Sequence, residues 1–406
     1  MWNYLVWGGA QIYFLGIMKL AKEKWDVRVA LPKDSDPKLL SFIEQIGVNC
    51  EFLERFVDMN PPTTIPQRIK RRFAVFLSEL EIFRYLMKYD LRHNVLHIEA
   101  APWQSVSLLT ALALRGSNTF VTLHNALPDA SALRELLWSI KIGFVSRLPR
   151  FHIFTSNVDT KNRFRRWVTK TFWNSIRVTF TTVNPPEIDA VLKSGNDQNA
   201  IRKRCGLDEN KFMVLALGQF IDRKGRWIYL DAAKKICSSN NDIQFVWMTA
   251  SEVSGEDYTR VEGYGLGDNF ILLPAARVGG TREDILDFYK AADVFALPSY
   301  VEGLPVALLE AMAMGLPSIS TNVYAIPEAI IPKKTGILIE PGSADQLSDA
   351  ILHLKADPSL RSLLAKAGRE HVIANFDERV ASRTAIDTYA ACFPDENGGR
   401  QLNMSN

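Results

Sequence analysis

Short, uninterrupted apolar runs mark this chain more clearly than strict alternation does. In the first half they fall at residues 27–31, 95–98, 120–123, 152–154 and 178–181. The second half has them at 212–217, 243–248, 270–273, 294–297, 318–320 and 337–339. Continuous runs of this length are what strands buried on both faces require, and helical spacing of apolar residues separates most of them. The alternation predicts an α/β protein with parallel sheets covered by helices. Gly8-Gly9-Ala10-Gln11 leads into an amphipathic helix expected to end near Lys24. A polar stretch at 184–208, opened by the turn Asn184-Pro185-Pro186, reads as the joint between two halves. Four segments are therefore predicted: a domain at 1–183, a linker at 184–208, a second domain at 209–375, and a C-terminal helix with a Gly/Asn/Asp-rich, disordered tail at 376–406.

Composition narrows the class. At 406 residues the chain is long enough for two cores, and 47% hydrophobic with 23% charged residues is ordinary for a soluble globular protein. An apolar stretch of about 18 residues, as a spanning helix needs, is missing. The N-terminus lacks the regions of a secretion signal, and four scattered cysteines form neither a C-x-x-C pair nor a zinc spacing, so a cytoplasmic location is expected. The net charge of +3 hides an asymmetry: residues 1–200 carry 26 Lys+Arg against 18 Asp+Glu, a balance of +8. A basic first half should meet something anionic, although no nucleic-acid recognition motif accompanies the charge. Two of its segments mix cations with aromatics, 161–173 and Arg68 to Phe76. Each reads either as a helix held on an anionic membrane or as a solvated helix with an inward aromatic face.

The chemistry-bearing feature is a pair of carboxylates, Glu302 and Glu310, in EGLPVALLEAMAMGLPSIS. The 294–297 strand precedes them, and a helix follows with Pro305 near its first turn and Gly315 just past its end. A strand-to-helix loop is where open α/β sheets bind ligands, and the helix N-terminus suits a phosphate. Carboxylates beside it can accept hydrogen bonds from sugar hydroxyls, which suggests a nucleotide-sugar pocket. The bland reading of the same spacing is two solvated helix carboxylates.

That block resembles the E-x7-E signature of the family 4 retaining glycosyltransferases, and Pro327-Glu328 with the 335–342 run is similar to the family's next block. The resemblance is strong over 209–375 and weak before residue 90. It implies the GT-B architecture, two doubly wound Rossmann-like domains facing a cleft, with the last helix crossing back to the first domain. It further implies transfer of a sugar from a nucleotide-diphosphate donor to a glycan or lipid-linked acceptor, in surface polysaccharide or glycolipid biosynthesis, without a metal. Leu217-Gly218-Gln219-Phe220-Ile221-Asp222-Arg223-Lys224-Gly225 looks like the family's phosphate loop, with Lys224 at the phosphate-binding lysine. Gln219 stands where an arginine is usual, and Arg223 is the candidate substitute cation. By the same resemblance Glu302 holds donor-sugar hydroxyls, Glu310 the ribose, and Gly303 and Leu304 offer backbone N–H groups, with Pro305 starting the helix. His124 matches a histidine beside the transferred sugar, followed by Asn125 in place of the commoner aspartate. Gly8 and Gly9 resemble the loop that closes over the diphosphate, and His97 and Glu99 are weaker acceptor-side candidates. Other readings are a nucleotide-sugar epimerase of the same fold and a non-catalytic nucleotide-sugar-binding partner, the latter motivated by Gln219 and Asn125.

Overall fold

A computed structural model describes residues 9–54, 64–99, 102–124, 127 and 130–393. The chain divides into two compact units, residues 1–180 with 379–406, and residues 181–378. Gly8 and Asn125 lie outside the described residues.

In the first unit the helix Gly9–Ala21 precedes β1 (Arg28–Pro32), which pairs in parallel with β2 (Asn49–Leu53). A separate parallel sheet follows, with β3 (Val95–Ile98), β4 (Asn118–Leu123), β5 (Phe151–Thr155) and β6 (Arg177–Val178) side by side in chain order. The expected single run of strands is thus split in two. Every residue of β4 is buried. Phe120 packs with Tyr13, Leu31, Phe154 and Tyr389, while Val121 and Leu123 pack with Ile142, Ile153, Phe164 and Trp167. Tyr389 belongs to the helix Glu378–Ala390, whose residues from Arg379 on return to this unit.

The second unit is one six-stranded parallel sheet of β7 (Phe212–Leu217), β8 (Ile243–Thr249), β9 (Phe270–Pro274), β10 (Val294–Leu297), β11 (Ser318–Thr321) and β12 (Ile337–Ile339). Their spatial order is β12-β11-β10-β7-β8-β9. The chain runs outward from β7 to one edge, returns to β10 beside β7, and runs outward to the other. That reversal leaves a crevice at the carboxyl ends of β7 and β10, the place where open α/β sheets bind ligands. Trp247 and Tyr229 fill the core, and the Tyr229 hydroxyl donates to the Val214 carbonyl at 2.7 Å, which satisfies the only polar atom of a fully buried ring.

The expected linker at 184–208 is instead built into this unit. It folds as two helices, Pro185–Lys193 and Gln198–Cys205, each capped by a side chain, Asn184 accepting from the Glu187 N–H and Asp197 from the Ala200 N–H. The second helix buries Arg202, whose guanidinium donates to the Ala291 carbonyl at 2.7 Å and the Lys211 carbonyl at 2.8 Å, and pairs with Asp293 at 2.8 Å. Asp293 in turn accepts from the Met213 N–H at 2.7 Å, so this one arginine ties the helix to the starts of β7 and β10. Arg202→Met should cost about 3 kcal/mol, because it takes the buried guanidinium away from Asp293 and two carbonyls. Urea unfolding of the variant checks this, and a change within experimental error would show the helix to be a loosely attached connector.

Candidate functional site

Two loops meet at the crevice. After β7 the chain turns at Gly218, buries Phe220, and makes a single helical turn at Asp222–Lys224 that ends at Gly225. After β10 it runs through Pro298, Ser299 and Tyr300 to Glu302, and Pro305 caps the helix Val306–Ala313. The loops touch backbone to backbone: the Tyr300 N–H donates to the Arg223 carbonyl at 2.9 Å. Gly225 has φ +75°, and a Cβ there would sit 1.9 Å from the Pro298 carbonyl oxygen. Thr321 on β11 donates to the Ser299 carbonyl at 2.6 Å and fixes the second loop from its other side.

This contact brings three of the expected residues together. Lys224 Nζ is 2.5 Å from Glu302 Oε1, Arg223 Nη1 is 3.6 Å from Oε2, and Ser299 donates to Oε1 at 3.0 Å. The Glu302 side chain is only 7% exposed and that of Lys224 13%, whereas Arg223 stays 45% exposed and also donates to the Val301 carbonyl at 3.0 Å. Immediately downstream, the N–H groups of Gly303, Leu304, Val306 and Ala307 have no acceptor among the described residues. Two cations and a row of open donors therefore surround one carboxylate, a composition suited to an anion with sugar hydroxyls attached. Gln219 is exposed on the same loop.

Glu310 lies one side of the helix further on and is held separately. It is buried at 3%, accepts from the Tyr289 hydroxyl at 3.0 Å, and pairs with Arg282 Nη2 at 2.7 Å, while Arg282 also pairs with Glu187 at 3.0 Å. Burial opposes the Arg282 charge, but Glu310 and Glu187 outweigh it and hold the guanidinium above its ordinary range. Glu310 Oε1 is thus held against the Arg282 guanidinium and Oε2 against the Tyr289 hydroxyl. Neither Arg282 nor Tyr289 is legible as a partner from sequence; the Thr281/Asp284 capping box shows only where that helix starts.

In the first unit the candidate residues gather at the ends of β3 and β4. Glu99 and His124 each follow the last residue of paired neighbouring strands, and Gly9 opens the helix that carries Tyr13. The His124 ring packs edge-on against Tyr13 at 4.9 Å, and its Nε2 is buried without a partner among the described residues. Burial lowers His124 to about 3, leaving a neutral imidazole. Glu99, 5% exposed with Oε2 unpartnered among the described residues, is pushed by burial up to about 8. His97 is structural in its contacts: Nδ1 meets the Tyr389 hydroxyl at 2.5 Å and Nε2 meets Thr122 at 2.7 Å.

The 161–173 segment folds inward. Phe164 and Trp167 are core residues, Lys161 donates to the Ile176 carbonyl at 2.7 Å, and Lys161 and Arg165 lie over the Trp173 ring. Phe164 and Trp167 thus turn inward, while Arg165, Arg166 and Lys170 stay exposed.

Residues 197–371 match the family model described as glycosyl transferases group 1. Among similar curated proteins, a GDP-mannose-dependent monoacylated alpha-(1-6)-phosphatidylinositol monomannoside mannosyltransferase of Corynebacterium glutamicum is 28% identical over 44% of this chain and 47% of its own. A UDP-Gal:alpha-D-GlcNAc-diphosphoundecaprenol alpha-1,3-galactosyltransferase of Escherichia coli is 29% identical over 48% and 49%. The chain thus spans about half the length of these relatives. Among solved structures, Anabaena HepE in complex with UDP superposes with a TM-score of 0.75 at 16% identity, covering 96% of this chain and 98% of that one. A Rickettsia africae glycosyltransferase gives 0.73 at 16%, over 96% and 97%. The fold is that of these GT-B proteins, α/β with parallel sheets in two Rossmann-like units.

Two glycines separate strain from close approach. Gly315, at φ +84° with open space around it, should lose about 1 kcal/mol on substitution by alanine. Gly225→Ala adds a clash to the same strain and should lose about 3 kcal/mol, measured by urea unfolding. Equal losses would mean that the two loops are free to part.

Buried His124 and Glu99 predict opposite pH effects. His124 stays neutral when folded, so its contribution is lost as pH falls from the unfolded value towards 3. Glu99 stays protonated when folded, so stability falls as pH rises from the usual carboxylate range to about 8, then levels. Thermal melts of Glu99→Gln should gain more at pH 9 than at pH 5; an equal gain at both would place Glu99 in a wet, polar setting.

Proposed function

We propose that this protein is a retaining glycosyltransferase of the family 4 kind, moving a sugar from a nucleotide-diphosphate donor to a lipid-linked or glycan acceptor in glycolipid or surface polysaccharide biosynthesis. The observation that carries the reading is the Lys224–Glu302 pair, with Arg223, beside the open N–H groups of the 306–313 helix. The matching region of the chain holds this site, and the two curated relatives are named for lipid-bearing acceptors.

In this reading the donor diphosphate takes Lys224 away from Glu302. Lys224, Arg223 and the helix N-terminus neutralise the charge that grows on the departing phosphate, which is usually the largest catalytic contribution and needs no metal here. Gly218 lets the phosphate loop come close. Released from Lys224, Glu302 accepts hydrogen bonds from the donor-sugar hydroxyls. Glu310, oriented by Arg282 and Tyr289, accepts from a ribose hydroxyl. Gly303 and Leu304 supply N–H groups, and Pro305 aims the helix. His124, held neutral by burial, can offer an uncharged hydrogen-bonding edge to a sugar. The anomeric C–O bond to phosphate breaks while the bond to the acceptor oxygen forms on the same face, and the acceptor proton passes to the leaving phosphate. A cytoplasmic location supplies the donors, with the basic first unit resting at the membrane.

A panel of UDP-, GDP-, ADP- and TDP-sugars with a membrane extract tests this by diphosphate release and labelled glycolipid. One donor should turn over, equally with and without EDTA, with the product's anomeric configuration retained by NMR. Lys224→Ala should lower turnover about 10²–10³-fold. Binding of a donor without turnover in any extract would make the protein a nucleotide-sugar-binding partner; inversion or EDTA loss would remove the mechanism.

A further inference from the structure

The helix Ala132–Val145 presents its apolar residues to both sides. Inward, Trp138, Ile142 and Val145 join the core around Trp167 and Phe164. Outward, Leu133, Leu136, Leu137, Ile140 and Phe144 are between 48% and 69% exposed. At helical periodicity these five fall within an arc of about 100°, opposite the buried set. Scattered exposed leucines need no explanation, but a continuous stripe of this kind does.

A second stripe repeats the pattern. On the helix Ile65–Leu86, Ile65, Ile69, Phe73 and Phe76 are 53–71% exposed. The helix Val106–Leu114 packs against both this helix and Ala132–Val145, so the two belong to one layer. Arg68 and Arg72 are exposed along one side of the second stripe and Lys70 along the other, and residues 65–76 contain no acidic group. Lys141, Arg147 and Arg150 are exposed at the far end of Ala132–Val145.

We propose that the outward faces of Ile65–Leu86 and Ala132–Val145 dock the protein on an anionic lipid bilayer, which the proposed transfer to a lipid-linked acceptor would require. Charge selects this occupant. A second copy would bring the same cations against these, whereas anionic headgroups neutralise them while the apolar side chains enter the acyl boundary. Described helices offer no alternative anchor, since none is long and apolar enough to cross a membrane.

Flotation of the full chain with phosphatidylcholine vesicles, with and without phosphatidylglycerol, tests the proposal in the absence of any nucleotide sugar. Binding should require phosphatidylglycerol and weaken with salt. Arg68→Ser and Arg72→Ser should each weaken it about fivefold, and Leu136→Glu with Ile140→Glu should abolish it while the urea midpoint is unchanged. Failure of the wild type to bind anionic vesicles, or unchanged binding by the variants, would overturn the proposal. So would a dimer that Leu136→Glu converts to monomer with no change in flotation. Donor turnover is scored separately, so a failed glycosyltransferase reading leaves the vesicle result standing, and the reverse.

Discussion

A backbone contact with no room for a side chain governs the second unit's site. Gly225 lies so close to the Pro298 carbonyl that any Cβ would overlap it. That proximity lets the Tyr300 N–H reach the Arg223 carbonyl, and it places Lys224 and Arg223 against Glu302. The sheet order creates the crevice, but this contact decides which side chains face each other across it. Everything proposed about donor binding depends on two loops, about 80 residues apart in sequence, behaving as one rigid piece.

The two carboxylates of the signature are held by different means, and the difference divides their roles. Glu302 is bound by cations that a phosphate could take over, one of them nearly half exposed. Glu310 is bound by Arg282, itself anchored to Glu187, and by a buried tyrosine, so its position is fixed whether or not ligand is present. An exchangeable partner suits a residue that meets the reacting sugar. A fixed one suits a residue that reads a part of the donor that does not change.

Much of the fold was legible because parallel strands buried on both faces appear as plain apolar runs, and β7, β8, β10 and β11 fall where such runs predict. β2 leaves no such signal: NCEFL is interrupted by Glu51 and buries only Leu53, so its pairing with β1 has no apolar run to mark it. The helices at 185–205 were read as a joint because Pro185-Pro186 and QNAIRKRC look polar and broken. Yet proline in a first turn and the caps Asn184 and Asp197 are helix-start signals, and Ile201, Arg202 and Cys205 carry the burial. At the site, local motifs pointed to Gly218, Lys224, Glu302 and Glu310, while Tyr289 and Arg282 stayed hidden, because they reach Glu310 from a separate helix before β10, a contact that no short spacing encodes. Ser299 is different: it bonds Glu302 from three residues away in the same loop. In sequence, the apolar residues at 133–144 form only a stretch too short to span a membrane; that they face outward is a tertiary fact.

The most direct test of the account is a crystal structure of the protein with the nucleoside diphosphate that it binds. The β-phosphate should lie within hydrogen-bond distance of Lys224 Nζ and of the N–H groups at 306–307, with Lys224 drawn off Glu302 and Glu310 on the ribose. A diphosphate bound elsewhere, with the Lys224–Glu302 pair intact, would contradict it.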